Sequence, residues 1–302
     1  MRRLALLLAA VLVLGGCGGS DSPARSTARS PEQAPLRIGT KNFAEQFLLG
    51  ELYKQALEAK GFRVELKENI GSSEIIHQAL IDGALDMYPE YVGVLLSEVA
   101  NVRSRPRSPQ AAYERALAYE RRQGFALLAA TPFSDANALA VKPAFARRHD
   151  IHSIADLDKV RGGVRIGAPP EFQTRFEGLV GLAQLYGLHN ARFSALAIGA
   201  QYPALDSGRV DVAAVFTTDG QLAGRRYVIL DDPRGVFGTQ HLAPIVSDTA
   251  LRAHGPRLRA VIDAVSRRLT ASAMRRMNAA VQLRGQSSAD VADRFLRSSG
   301  LK

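Results

Sequence analysis

Cations, carboxylates, amides and hydroxyls gather in this chain at the ends of short apolar runs, where folding leaves side chains facing a cleft. Lys41 and Asn42 follow Leu36-Arg37-Ile38-Gly39, which reads as a strand, and Phe43 opens an apolar-periodic helix, so the N–H groups of a helix start lie beside them. Ser72 and Ser73 open the next helix as caps whose hydroxyls also suit a ligand. Tyr88-Pro89-Glu90-Tyr91 presents two aromatic rings at a strand end, where Pro89 is expected to break regular pairing. Arg175 falls in the first turn of a helix expected over 174–186, where a cation opposes the dipole and needs an anionic partner or solvent. Thr217-Thr218-Asp219 ends another strand with hydroxyls and a carboxylate. This chemistry suits binding of a small polar ligand. Catalysis has little support: Cys17 is the single cysteine, no serine nucleophile elbow occurs, and His77, His149, His152, His189 and His254 are scattered without metal-ligand spacing. Asp219 with His241 is the one imaginable acid/base pair. A non-enzyme without metal or cofactor is expected.

The elements that must position these groups repeat. Ala79-Leu80-Ile81-Asp82-Gly83-Ala84-Leu85-Asp86 and Ala204-Leu205-Asp206-Ser207-Gly208-Arg209-Val210-Asp211 share the frame Ala-Leu-x-x-Gly-x-x-Asp. Each reads as a helix ended by a left-handed glycine cap and followed by a short apolar strand, which predicts equivalent units in two similar α/β lobes. A strand at 36–39, a helix over 43–59 with an Asn42/Glu45 capping box, and a strand at 62–67 form a βαβ unit. A helix over 110–123 and a strand at 125–130 follow. Residues 131–137 make the first crossing into the second lobe, 236–241 the return. The first lobe is thus expected to comprise 36–137 plus 242–302 and the second 138–241. A long helix over 256–280, with Thr270 as its soft spot, and a helix over 288–298 complete the first lobe.

The N-terminus sets the compartment. Arg2 and Arg3 precede an apolar run from Leu4 to Leu14, then Gly15-Gly16-Cys17, which predicts a secretory signal over 1–17 too short for a permanent membrane span. Leu14-Gly15-Gly16-Cys17 resembles a bacterial lipobox, making Cys17 the expected lipid anchor. Residues 18–35, rich in Ser, Ala, Pro, Gly and Arg, read as a flexible tether. An exported, membrane-anchored lipoprotein facing the periplasm or cell exterior is expected, with no other membrane-spanning segment. The formal charge of +10 becomes +8 once Arg2 and Arg3 leave. Much of the excess sits late in the chain, without interleaved aromatics, so it reads as the solvated face of C-terminal helices toward an anionic membrane or a partner, and no nucleic acid is expected.

Ile38-Gly39-Thr40-Lys41-Asn42-Phe43-Ala44-Glu45-Gln46, His77-Gln78-Ala79-Leu80, Tyr88-Pro89-Glu90-Tyr91-Val92-Gly93, Glu171-Phe172-Gln173-Thr174-Arg175, Phe216-Thr217-Thr218-Asp219-Gly220 and Ala243-Pro244 occur in that order. Together they resemble the substrate-binding proteins of glycine betaine, choline and osmoprotectant ABC importers over nearly the whole mature chain. The resemblance implies a two-lobed type II periplasmic-binding-protein fold that closes on its ligand in the interlobe cleft. It also implies permease and ATPase partners and a monomer.

The same resemblance makes Tyr91 a candidate wall of an aromatic cage, and Arg175 with Lys41 candidate partners of a ligand carboxylate. Asn42, Gln46, Ser72, Ser73, Asp135, Glu171, Thr217, Thr218 and Asp219 become candidate polar contacts. The chain departs from the pattern at Asn137 and at Gln240-His241, where many relatives carry tyrosine, and it has no tryptophan. Two lost cation–π contacts of about 2 kcal/mol each amount to roughly a thousandfold in affinity. The departures therefore resemble a subgroup with a depleted cage. They imply weak binding of glycine betaine, or another small zwitterion, an amino-acid derivative, held through Asn137, Gln240 and His241.

Overall fold

The computed structural model describes residues 34–102, 106, 108–238 and 240–302. The expected signal, Cys17 and the tether through Gln33 lie outside the described residues, as do 103–105 and 107, in the loop expected over 103–109, and Thr239 of the return crossing.

The strands are β1 (Leu36–Gly39), β2 (Val64–Lys67), β3 (Met87–Tyr91), β4 (Phe125–Leu127), β5 (Asn137–Val141), β6 (Arg165–Ala168), β7 (Arg192–Ala195), β8 (Val212–Phe216), β9 (Val228–Ile229) and β10 (Leu242–Ser247). The helices are α1 (Ala44–Glu58), α2 (Ser73–Ile81), α3 (Val92–Val94, its path continuing through Val99), α4 (Pro109–Arg122), α5 (Pro143–His149), α6 (Gly181–Tyr186), α7 (Gln201–Asp206), α8 (Asp248–His254), α9 (Pro256–Arg268), α10 (Ala271–Gln282) and α11 (Ser288–Ser298).

Two five-stranded sheets result, ordered β2-β1-β3-β10-β4 and β7-β6-β8-β5-β9. Both have the same pairing: a parallel trio, then a strand antiparallel to both its neighbours. In each sheet the antiparallel strand is the one that arrives from the other lobe. The chain leaves the first sheet after β4 and returns at β10, and the two crossings touch at the Ser134–His241 bridge. Apolar side chains fill both faces of each sheet, so each lobe is layered helix, sheet, helix.

The twin frames occupy matching places. Gly83 and Gly208 take φ of 70° and 71°, the left-handed cap that an L side chain resists. The last aspartate of each frame grips the arginine of the neighbouring central strand. Asp86 accepts from the Arg37 backbone and side chain at 2.8–2.9 Å, and Asp211 accepts from those of Arg165 at 2.6–2.9 Å.

Several local expectations need correction. The cap of α1 is Phe43, with no side-chain cap bond, and Glu45 turns into the core instead of closing a capping box with Asn42. Pro89 does not interrupt its strand: it lies opposite Pro244 in the β3–β10 pair, where neither residue needs an N–H toward its partner. The helix expected over 174–186 is broken, since Arg175 is extended and Glu177 and Gly178 are non-helical; regular helix begins at Gly181. A Cβ on Gly178 would sit 2.0 Å from the Phe172 carbonyl oxygen, so the chain folds back too closely there for any other residue. The long C-terminal helix is two helices, because Thr270 is extended and caps α10 through its side chain.

Candidate functional site

Ends of β1, β3 and β8, the first crossing and the 169–177 segment converge on one cleft. Its cavity, of about 70 Å³, is lined by Lys41, Asn42, Ser72, Ser73, Tyr91, Asp135, Asn137, Glu171, Arg175 and Gln240 among the expected residues. Phe43, Phe172, Glu177, Ile198, Gln201 and Phe216 line it as well, and sequence reasoning had not placed them there. Phe43 read only as part of the apolar face of α1; its position directly after Lys41-Asn42 was the available signal.

Three rings form a wall across the cleft. Phe43 of the first lobe stacks on Phe216 of the second at 5.1 Å and 17°, and on Tyr91 at 6.3 Å and 21°. The Lys41 ammonium stands 4.3 Å from the Tyr91 ring centre and 5.7 Å from that of Phe43, within cation–π reach of both. It also donates to Glu90 Oε1 at 2.6 Å and to Ser73 Oγ at 3.1 Å. Burial pulls the Lys41 pKa down, and the Glu90 carboxylate opposes that shift.

Arg175 is likewise engaged by protein. Its Nη2 donates to both Glu74 oxygens at 2.6 and 2.9 Å, and Nε lies 3.3 Å from Glu98 Oε2. Burial would lower its pKa, but these carboxylates outweigh burial and raise it. Arg175 comes from the second lobe and both glutamates from the first, so the guanidinium bridges the cleft.

Gln240 closes one side. Its Nε2 donates to Glu177 Oε2 at 2.7 Å and its Oε1 accepts from the Val94 N–H at 3.0 Å. The amide packs directly on Gly93, where a Cβ would come within 2.5 Å of it.

Gln46, Thr217, Thr218, Asp219 and His241 stand outside the cavity wall. Gln46 Oε1 accepts from the Lys41 backbone at 3.4 Å. Thr217 Oγ1 accepts from the Ala136 N–H at 3.0 Å, and Asp219 accepts from Tyr202, Gln282 and the Phe216 N–H. His241 Nδ1 lies 3.0 Å from the carbonyls of Thr131 and Phe133, which can only accept, so that nitrogen carries the proton. Thr218 joins a hub that sequence reasoning missed. Buried Glu45 accepts from Tyr91 OH at 2.7 Å, Thr218 Oγ1 at 2.5 Å and Asn278 Nδ2 at 2.6 Å, joining α1, β3, the second lobe and α10. Burial raises the Glu45 pKa against the pull of those three donors.

Asp135 is only partly satisfied. Its Oδ1 accepts from the Thr218 N–H at 3.1 Å, while Oδ2 is buried without a hydrogen-bond partner among the described residues. Burial, reinforced by the Glu45 and Asp219 carboxylates, pushes its pKa well up. The described residues contain no cluster of three metal-holding side chains and no helix long and apolar enough to cross a membrane.

Two sheets of matching topology around a polar, aromatic-walled cleft define a type II periplasmic solute-binding fold. A solved structure described as a glycine betaine/carnitine/choline ABC transporter has this fold, with a TM-score of 0.71 at 24% identity, covering 88% of this chain and 99% of that one. Residues 34–298 match the family described as the substrate binding domain of ABC-type glycine betaine transport system, and the chain belongs to that family. It is 32% identical to a glycine-betaine-binding protein of Pseudomonas aeruginosa, over 87% of each chain. It is 25% identical to an ergothioneine transport permease/ergothioneine binding protein of Helicobacter pylori, over 89% of this chain and 48% of that one. Members of the family are substrate-binding transport proteins that act outside the cytoplasm with a membrane permease.

Proposed function

We propose that this chain is the solute-binding lipoprotein of an ABC importer, anchored through Cys17. It captures glycine betaine or a related quaternary-ammonium or zwitterionic osmolyte between its lobes and hands it to a permease driven by an ATPase. The observation that carries this reading is the stack Tyr91–Phe43–Phe216, which faces a cavity rimmed by polar groups from both lobes. A quaternary ammonium donates no hydrogen bond, and aromatic faces are what holds it. Affinity for glycine betaine is modest in this reading. Lys41 already lies against Tyr91 and Phe43, and Asn137 and Gln240 supply amides on the remaining wall. Those amides, with Gln201, support a second reading in which the ligand is an amino-acid-derived zwitterion carrying its own hydrogen-bonding groups.

Calorimetry on protein lacking residues 1–17, against glycine betaine, choline, carnitine and amino-acid betaines, separates the two. In the first reading glycine betaine binds, and Phe43→Ala weakens it about tenfold or more, since one desolvated cation–π contact is worth about 2 kcal/mol. In the second an amino-acid betaine binds tightest, and Asn137→Ala removes the preference. Absence of binding by every one of these compounds would refute both.

A further inference from the structure

Charge is distributed unevenly along the chain. Residues 248–302 hold ten arginines and Lys302 against Asp248, Asp263, Asp290 and Asp293, a formal +7 of the total +10, whereas 34–247 hold 24 basic and 23 acidic residues. Most of the excess lies on α9, α10 and α11, which all pack on α1 and turn their apolar sides into the core of the first lobe. All ten arginines are exposed. The nearby acids do little to neutralise them. Asp263 accepts from the Ala129 N–H, Asp290 accepts from Ser287, and Asp293 pairs with Arg297 at 2.8 Å and with Lys302. Arg267, Arg268, Arg275 and Arg284 have no carboxylate within ion-pair distance among the described residues.

We propose that the outward face of α9–α11 docks on anionic lipid headgroups. Charge complementarity selects an anionic partner, and the absence of an apolar centre selects lipid over protein. A protein interface buries an apolar core, yet among the described residues of this stretch Leu283 is the one large apolar side chain standing exposed. Chain length agrees. The described chain enters the same lobe through β1, and residues 18–33 reach no further than about 60 Å even fully extended, so a lipid at Cys17 keeps this lobe near the bilayer. That distance rests on the lipid-anchor reading; the charge asymmetry does not. Each basic residue brought to an anionic surface contributes about fivefold in affinity, an effect that salt screens.

The test is co-sedimentation of protein lacking residues 1–17, and so without the apolar N-terminal run and Cys17, with vesicles of phosphatidylglycerol and phosphatidylcholine or of phosphatidylcholine alone, at low salt and at about 0.3 M NaCl. The comparison pits wild type against Arg267→Gln/Arg268→Gln/Arg275→Gln/Arg276→Gln, with Arg147→Gln/Arg148→Gln on the exposed face of α5 as control. Expected is salt-sensitive binding to the anionic vesicles alone, at least tenfold weaker in the quadruple variant and unchanged in the control, with equal melting temperatures. Equal binding to neutral vesicles, no binding, or unaltered binding by the quadruple variant overturns the proposal. If the quadruple variant lowers cellular uptake of glycine betaine while vesicle binding is unchanged, the face serves a protein and the lipid assignment falls.

Discussion

Glu120 shows how much a single buried acid is controlled by its surroundings. It projects from α4 into the first lobe, fully buried, with neither carboxylate oxygen hydrogen-bonded among the described residues and the His77 ring 4.0 Å away. Burial, aided by the Glu90 charge, pushes its pKa up from the ordinary 4.5 to about 8, and burial holds His77 down. A folded-state pKa above the unfolded one means the native state binds the extra proton. The stability contributed is therefore complete below about pH 4.5 and is lost as pH rises through about 8. Chemical unfolding of the wild type should show a loss of a few kcal/mol between pH 5 and 9. Glu120→Gln, which keeps the shape and removes the titration, should flatten that part of the profile, and a variant profile as steep as wild type would show that the titrating group is another. None of this is legible in the sequence. Glu120 lies among the charged residues Arg121 and Arg122, and its burial follows from how α4 rests on β4.

At the scale of elements, α10 matters more than its polar sequence suggests. It belongs to the first lobe but touches the second: Asn278 donates to Glu45 and the Thr218 carbonyl, and Gln282 donates to Asp219 and accepts from the Gly220 N–H. Gly220 allows this approach, since a Cβ there would stand 2.6 Å from Ala279 Cα, a backbone atom that cannot swing away. Gly220→Ala should therefore cost about 1–3 kcal/mol of stability by displacing α10. It should also accelerate amide exchange at Thr218 and Asp219, and unchanged exchange would show that α10 is not held there. The twin helix–Gly–strand frames were readable because the cap glycine, the apolar period and the closing aspartate are local signals. The break at Glu177-Gly178 was not, since the helical periodicity of 176–186 carries no mark of the Phe172 carbonyl that forces it.

For the whole molecule, lobe closure rests on a few cross-cleft contacts, and Arg175 makes the most highly charged of them. Arg175, expected from the sequence to meet a ligand carboxylate, lines the cavity and is paired there with Glu74 and Glu98. Arg175→Ala leaves two glutamates, one of them largely buried, facing each other without a cation. Breaking a buried pair from one side costs about 3–5 kcal/mol, and these partly exposed groups should cost less. Small-angle scattering should show a larger radius of gyration for the variant without ligand, and identical scattering would mean that Arg175 does not hold the lobes together.

Read alone, the sequence determined the α/β class, the order of most strands and helices, and the twin helix–glycine–strand units of the two lobes. Each of these depends on composition, period or cap chemistry within a short window. Only the tertiary structure decided that Phe43 and Phe216 stack across the cleft, that Glu45 joins three distant segments, and that Lys41 and Arg175 are neutralised by glutamates 49 and about a hundred residues away. Contacts between distant segments arise from packing, and no local pattern encodes which partner a charged or aromatic side chain will meet.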